Sequence, residues 1–502
     1  MQTLASSSTH ESWLSWFLRG LLIVGVLIAI GRLVELQIIK GDFYRNLSEG
    51  NRIERVKIPA QRGRILARGG EILDGPDFSH ITGYTAEANE KEVGKIDPNC
   101  FDKGPYKLGQ IVGRGGLSEM YNCILTGIDG EELIEVNSLG EKIREIGRRE
   151  SIPGKDVKTN IDFNLQKEIA SKMQGKMGSV VVSDKQGRVL AIYSSPSFDP
   201  KDITSALKNP DLPLFNRAIG GLYHPGSIFK PLVSIAALEE GKIDKNFMFN
   251  DTGVVTVETP YGNYSYSNWY FTQYGGKEGE IDLTKALARS TDTFFYKIGE
   301  FVGINSLVDW TKKFGLTKLT EIDLYGEVLS LIPSPDWKLR VKKEKWFLGN
   351  TYHFSIGQGD LAVTPVGIHR ADLSIFNGGK LCSLKIVGET KCVDLKIKKD
   401  DIELVKEGMR KACSEGGTAY TFFDFSKKHN GLIVNCKTGT AETNEDEKTH
   451  AWFVAGADDF FVTVMVEKSG EGSKVAGPIA RSIFDFYFKG SEVQTVDLKT
   501  GN

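Results

Sequence analysis

One stretch constrains the fold more than any other: His224-Pro225-Gly226-Ser227-Ile228-Phe229-Lys230-Pro231. Pro225 and Gly226 close a loop. An apolar run with Leu232, Ile235 and Ala236 at helical spacing begins straight after. Pro231 fits only a first turn, where N–H groups lack an intrahelical partner anyway. A helix therefore starts here, with Ser227 in its first turn and Lys230 three residues on, on the same face. A serine hydroxyl is a weak nucleophile until a base lies within hydrogen-bond reach. A lysine one turn away is such a base, and a helix N-terminus favours the developing alkoxide.

The N-terminal segment points to a membrane. Trp13 to Leu33 is mostly apolar, and Gly20 to Gly31 carries no charge. Arg19 can snorkel, and Trp13 and Trp16 suit the interfacial belt. This is a full spanning length and reads as an uncleaved anchor. A cleavable signal peptide is the rival, since Ala29-Ile30-Gly31 loosely resembles a small-x-small site. Arg19 on one side, and Arg32, Lys40 and Arg45 on the other, leave orientation open. The formal net charge of −2 offers nothing to nucleic acid. Cys100, Cys123, Cys382, Cys392, Cys413 and Cys436 show no C-x-x-C spacing, which argues against zinc. Cys382 and Cys392 flank a short hairpin and are the first choice of pair if the body is exported. Free buried thiols are the alternative.

Beyond the anchor, residues 41–176 read as mixed and strand-rich. Gln61 to Ile72 suits a hairpin with a Gly69-Gly70 turn, and Leu117 to Leu125 a helix. Thr159-Asn160-Ile161-Asp162 supplies caps for a helix over Leu165 to Met173. Arg62, Arg64 and Arg68 read as a solvated or salt-bridged face. From Gly178 the pattern changes. Ser179–Val182 and Val189–Tyr193 form a hairpin about a Lys185-Gln186-Gly187 turn. Ile281 to Glu300 reads as a helix broken near Ser290. Leu432–Glu442, Ala451–Ala457 and Phe460–Glu467 suit an antiparallel meander, and Ile479–Phe488 a closing helix. Two strands early, three late and helices between predict an α+β fold: one antiparallel sheet covered by helices.

Acyl transfer by a serine needs more than Ser227 and Lys230. Ser290-Thr291-Asp292, at the helix break, can point side chains into a cleft. Lys437-Thr438-Gly439-Thr440 lies in the first strand of the meander. Gly439 permits close backbone approach of a ligand, and Lys437 and Thr438 can bind a carboxylate. The N–H groups of Ser227 and Thr440 are candidates for an oxyanion hole. Each motif alone is weak. Ser205-Ala206-Leu207-Lys208 is a second S-x-x-K, stopped by Asn209-Pro210, and Lys499-Thr500-Gly501 is a second K-T-G in the polar tail.

The ordered set S-x-x-K, S-x-D and K-T-G resembles the signature of serine penicillin-recognising enzymes. Over nearly its whole length the chain is similar to the class B penicillin-binding proteins, more narrowly to the elongation-type penicillin-binding protein 2 group. The likeness takes in Arg62-Gly63-Arg64-Ile65, Asn216-Arg217-Ala218, Phe294-Phe295-Tyr296, Ser355-Ile356-Gly357-Gln358-Gly359-Asp360, Gly416-Gly417-Thr418-Ala419 and Ala441-Glu442. It implies a penicillin-recognising transpeptidase domain on a β-rich pedestal. The divisions expected are 1–12 cytoplasmic tail, 13–37 transmembrane anchor, 38–176 non-catalytic pedestal, 177–490 transpeptidase domain and 491–502 polar tail. The implied activity is D,D-transpeptidation of peptidoglycan stem peptides ending in D-Ala-D-Ala, outside the bacterial cytoplasmic membrane, with acylation by β-lactams. The implied partners are a multi-spanning SEDS-type glycosyltransferase and scaffold proteins of the elongation complex.

The resemblance also assigns roles. Ser227 attacks the carbonyl between the terminal D-alanines, Lys230 takes its proton, and Ser290 relays a proton to the leaving amine. Asp292, Lys437, Thr438, Gly439 and Thr440 bind substrate. Asp292 departs from the usual S-x-N; elongation-type members often carry aspartate there. Its charge would stabilise a Lys230 ammonium, whereas Lys437 would push Lys230 toward neutrality. Some relatives bind zinc between the first two motifs. No histidine or cysteine stands between Lys230 and Ser290, so no metal and no cofactor are expected. The pedestal is short for the family. Two other readings use the same residues. One is a D,D-carboxypeptidase or β-lactamase-like hydrolase, although no E-x-x-x-N follows Ser227. The other is a non-catalytic penicillin-binding sensor or scaffold.

Overall fold

The computed structural model describes residues 13–50, 52–97, 100–137, 139–260, 262–443 and 448–489. The polar tail and its Lys499-Thr500-Gly501 lie outside these described residues. The chain divides into two compact units, residues 1–62 with 126–154 and residues 63–125 with 155–502.

The first unit begins with helix α1 (Trp13–Val34), which runs on without a break through a wider π-type turn over Glu35–Ile39. Together they form an apolar helix of 27 residues with none of its most apolar stretch buried, long enough to cross a membrane. The unit also contains a three-stranded antiparallel sheet in the order β1 (Ile53–Ile58), β2 (Gly130–Val136), β3 (Lys142–Arg149). Cross-strand ion pairs lace its surface, among them Arg144–Glu135 at 2.7 Å and Lys142–Glu132. Such exposed pairs contribute at most ~1 kcal/mol each. Burial runs instead along β2, where Ile134 and Val136 face inward.

The second unit is built on a five-stranded antiparallel sheet. The hairpin of β4 (Gly178–Ser183) and β5 (Val189–Ser195) joins the meander of β6 (Asn435–Ala441), β7 (His450–Ala457) and β8 (Phe460–Val466). The strand order is β6-β7-β8-β4-β5, so β6 is an edge. Central strands are apolar on both faces because both faces are covered. The period-2 alternation divides them between two cores. Phe453, Ala455, Val462 and Val464 pack with Leu165 and Ile169 of α2 (Phe163–Met173) and with Ile483 and Phe484 of the C-terminal helix. Trp452, Val454, Phe461 and Met465 face the larger core, with Ile235, Phe295 and Leu373. Asp162 caps α2 by accepting from Leu165 N at 2.9 Å, as its position predicts; such a cap contributes about 1 kcal/mol.

The helices over the larger core carry the predicted motifs. They are α3 (Lys230–Glu239), α4 (Leu283–Arg289), α5 (Asp292–Val302), α6 (Pro365–Phe376) and α7 (Lys399–Ala412). The closing helix is α8 (Ala476–Lys489). The break predicted near Ser290 is real: α4 stops there, and Ser290 takes a left-handed backbone with φ 57° before α5 begins.

Two local expectations differ in detail, over Gln61–Ile72 and over Leu117–Leu125, whereas the Cys382–Cys392 pair and the salt-bridged basic face are found as expected. Over Gln61–Ile72 a tight turn does form, with Ala67 N bonded to Glu71 O, but Ile65–Leu66 takes its main partner, Val157–Lys158, in parallel. The helix expected over Leu117–Leu125 divides into Gly116–Met120 and Asn122–Leu125. There Asn122 turns its side chain to accept from Gly113 N, one of the local bonds by which asparagine competes with helix. All six cysteines are paired, as Cys100–Cys123, Cys382–Cys392 and Cys413–Cys436. The basic cluster is engaged: Arg64 chelates Asp156, Arg68 pairs with Asp162, and Arg62 donates to Thr126 Oγ1.

Candidate active site

Ser227 sits in a 3-10 turn, Gly226–Phe229, rather than in the α-helix itself, which starts at Lys230. The cause is the proline that marked the helix start: with no N–H at Pro231, the chain closes its turn one residue earlier, Lys230 N bonding to Ser227 O. In 3-10 geometry residues i and i+3 eclipse, so Ser227 and Lys230 project from one side. Ser227 is half-buried and Lys230 fully buried. Gly226 has φ +57°, and a Cβ there would stand 2.8 Å from Thr440 O. The turn is held behind by Gly226 N to Gly357 O (2.9 Å) and by Trp452 Nε1 to His224 O (3.0 Å).

Three of the predicted residues meet at Lys230. Its Nζ lies 2.6 Å from Asp292 Oδ1, 2.8 Å from Ser290 O and 3.2 Å from Ser290 Oγ. On the far side of the same hydroxyl, Lys437 Nζ lies 2.8 Å from Ser290 Oγ and 2.9 Å from Thr438 O. One serine oxygen thus bridges two fully buried lysines. The left-handed backbone at Ser290 turns its carbonyl and hydroxyl toward Lys230 together.

Charge is scarce in so dry a place. Burial pushes the Lys230 ammonium below its ordinary value, while Asp292 pulls it back up. Lys437 is driven well below its ordinary value, by burial and then by the Lys230 cation, against Asp292 and Asp372. With a carboxylate at 2.6 Å, Lys230 keeps a proton more readily than Lys437 does. The expected push of Lys437 on Lys230 falls mainly the other way, because Lys230 has the nearer counter-charge.

Asp292 is held by groups the sequence did not single out. Trp269 N donates to its Oδ2 (3.0 Å), and Asp292 N donates to Asn268 Oδ1 (3.1 Å). Asn268 Nδ2 and Thr293 Oγ1 both donate to buried Asp251, at 3.3 and 2.7 Å. Asn268 and Trp269 follow an exposed hairpin (Val254–Ser267) that carries no sequence signal of a site.

The strand β6 forms the facing wall. A Cβ on Gly439 would lie 2.9 Å from Trp452 Cβ, 3.0 Å from Ile228 Cγ2 and 3.1 Å from Pro225 O. Only glycine lets the strand approach the nucleophile's turn this closely. Thr438 is buried and donates to Thr418 Oγ1 at 2.9 Å, which brings in the Gly416–Ala419 motif. Thr440 is the only exposed residue of β6. The Cys413–Cys436 disulfide ties the end of α7 to the residue before Lys437. Lys208 of the second S-x-x-K ends a short helix (Ile203–Lys208) in which only Ala206 is buried, and no such network surrounds it among the described residues.

The penicillin-binding protein transpeptidase domain matches residues 177–485, and the penicillin-binding protein dimerisation domain matches residues 73–159. The peptidoglycan D,D-transpeptidase MrdA of Haemophilus influenzae is 31% identical over 462 residues, 83% of this chain and 68% of that one. Matches to the MrdA proteins of Acinetobacter baumannii and Escherichia coli K12 take in 45% and 49% of their length. Among solved structures, Pseudomonas aeruginosa PBP2 in complex with WCK 5153 superposes with a TM-score of 0.72 at 27% identity, covering 86% of this chain and 96% of that one. Helicobacter pylori PBP2 in complex with MreC shares the fold, with a TM-score of 0.74 at 22% identity over 88% of this chain and 99% of that one. The domain match spans well over half the chain and coincides with the sheet and helices that gather Lys230, Ser290 and Lys437, so the chain belongs to the penicillin-binding protein transpeptidase family.

Proposed function

We propose that this chain is a membrane-anchored peptidoglycan D,D-transpeptidase of the elongation type. The observation that carries the reading is the bridge from Lys230 through Ser290 Oγ to Lys437, set beside an open sheet edge. A stem peptide ending in D-Ala-D-Ala lies along β6 as an added strand. Ser227 Oγ attacks the penultimate carbonyl and its proton passes to the Lys230 amine. The Ser227 and Thr440 N–H groups hold the oxyanion. Ser290, hydrogen-bonded to both lysines, hands a proton to the departing D-alanine amine, and the amine of a second stem peptide then takes the acyl group from Ser227.

Buried Lys437 acts in this scheme as a proton-sharing partner of Lys230 through Ser290 Oγ, and Thr438 meets the terminal carboxylate. Asp292 steadies the Lys230 ammonium once it forms. The three disulfides suit an oxidising compartment and so support a body outside the cytoplasmic membrane. A scaffold protein like the MreC bound by the H. pylori relative and a SEDS-type glycosyltransferase are the partners that fit.

The test is intact-mass analysis of the purified chain after incubation with benzylpenicillin, followed by peptide mapping. One adduct on Ser227 is expected, absent in Ser227→Ala and in Lys230→Ala, both of which should remain folded. An unchanged mass in the unaltered chain would overturn the reading.

A further inference from the structure

Along an antiparallel edge strand, alternate residues turn their peptide groups outward. On β6 the outward carbonyls are those of Thr438 and Thr440. Thr438 O is bonded to Lys437 Nζ (2.9 Å), and Thr440 O to Gln358 Nε2 (3.4 Å). The second bond is long, and it joins two separate parts of the site. Gln358 lies in the turn after helix Leu348–Ser355, where its N–H donates to His353 O at 2.8 Å. The carbonyl of Gly357, its neighbour, accepts from Gly226, the residue before the nucleophile. Thr440 is steadied from another side as well, where Gly472 N donates to its Oγ1 at 3.2 Å.

Gln358 therefore links the turn that presents Ser227 to the exposed peptide group that an incoming strand must meet. A carbonyl oxygen has two lone pairs. Thr440 O can keep Gln358 Nε2 on one and receive a substrate N–H on the other. The geometry points to Gln358 as a positioning residue: its carboxamide aims the Thr440 carbonyl at the amide N–H of the donor peptide, and so sets a requirement for ligands that carry that N–H. This rests on the transpeptidase reading above. The side chain is half-buried and makes no other side-chain hydrogen bond among the described residues, so structural support is a minor part of its role.

The test compares acylation of the full-length chain by two probes. Benzylpenicillin carries an acylamido N–H. A carbapenem with a C6 hydroxyethyl group does not. Gln358→Ala should slow benzylpenicillin acylation three- to tenfold, and Gln358→Glu more than tenfold at pH 7, because a carboxylate presents an acceptor where a donor is needed. Carbapenem acylation should stay within twofold in both. Relative to the unaltered chain at the same pH, Gln358→Glu should recover as pH falls below about 5, where a protonated carboxyl donates again. Equal losses with both probes, no loss with either, or no recovery at low pH would overturn the role of Gln358 and leave the transpeptidase reading standing. Failure of the unaltered chain to acylate with either probe would end both.

Discussion

At the scale of single residues, the site is a problem of where protons can reside. Lys230 and Lys437 share Ser290 Oγ, and one carboxylate, Asp292, stands 2.6 Å from Lys230. An opposite charge this close typically moves a pKa by about 1–3 units. Asp292→Asn removes it while leaving an oxygen for Trp269 N. The Lys230 pKa then falls further, the neutral amine persists to lower pH, and the acid limb of the acylation profile should move about 1–3 units toward acid. Its plateau should drop, since the ammonium formed in the reaction has lost its counter-charge. Second-order acylation rates across pH measure both, and an unmoved limb would show that the titrating group is not Lys230. A second buried base lies away from the site. His369 of α6 is bonded to Ser183 Oγ (2.8 Å) and Thr463 Oγ1 (3.0 Å), and burial lowers its pKa to about 3. His80 is lowered likewise, to about 4. Unfolded, each histidine binds its proton near pH 6.5, so between that pH and its folded pKa the unfolded chain holds more protons. This share of stability is full above pH 6.5 and drains as pH falls, by about 1.4 kcal/mol per pH unit for each group. His369→Gln should flatten the fall by one proton's worth between pH 6.5 and 4, as read from urea unfolding at stepped pH. An unchanged slope would mean that His369 is protonated in the fold.

At the scale of elements, the decisive contact is that of strand β6 with the 3-10 turn of Ser227. It exists because position 439 lacks a side chain. Gly439→Ala puts a methyl against Trp452, Ile228 and Pro225. Overpacking of this kind costs roughly 1–3 kcal/mol, and the strand relieves it by moving off the turn. Acylation should fall at least tenfold while thermal unfolding stays cooperative; full activity would mean that the strand has slack. Much at this scale could be read beforehand. The β4–β5 hairpin, the β6–β7–β8 meander, the Asp162 cap and the break at Ser290 all express signals within a few residues. What escaped reading was the support of Asp251, Asn268 and Trp269 behind Asp292, which no local pattern marks. Thr418 and Gln358 stand in motifs that the sequence singled out, but their contacts with Thr438 and Thr440 arise from partners far along the chain and could not be read. The 3-10 turn at Ser227 was missed for a narrower reason. Pro231 signals a helix start equally well whether the residues before it are α or 3-10.

At the scale of the whole molecule, the 27-residue apolar helix and the three disulfides bear on where the body resides. Flanking charges leave orientation undecided, but a disulfide-bonded body suits the outer side. Protease added to intact spheroplasts should therefore digest residues beyond the anchor, and maleimide should label no thiol until the chain is reduced. Protection from protease, or ready labelling without reductant, would place the body inside.

By itself the sequence settled whatever depends on neighbours: the apolar span, the strand and helix periodicities, the cap, the glycine and proline punctuation, and the order of S-x-x-K, S-x-D and K-T-G. Those signals arise from backbone and side-chain preferences acting over a turn or a hairpin. Only the tertiary structure decided that Cys100 pairs with Cys123 and Cys413 with Cys436, that Lys437 is buried against Ser290 rather than exposed in a cleft, and that Asp292 spends both oxygens on the protein's own donors. These outcomes bring together groups as far apart as residues 230 and 437. Such closure is set by how the helices pack on the sheet, and no stretch of chain carries that information alone.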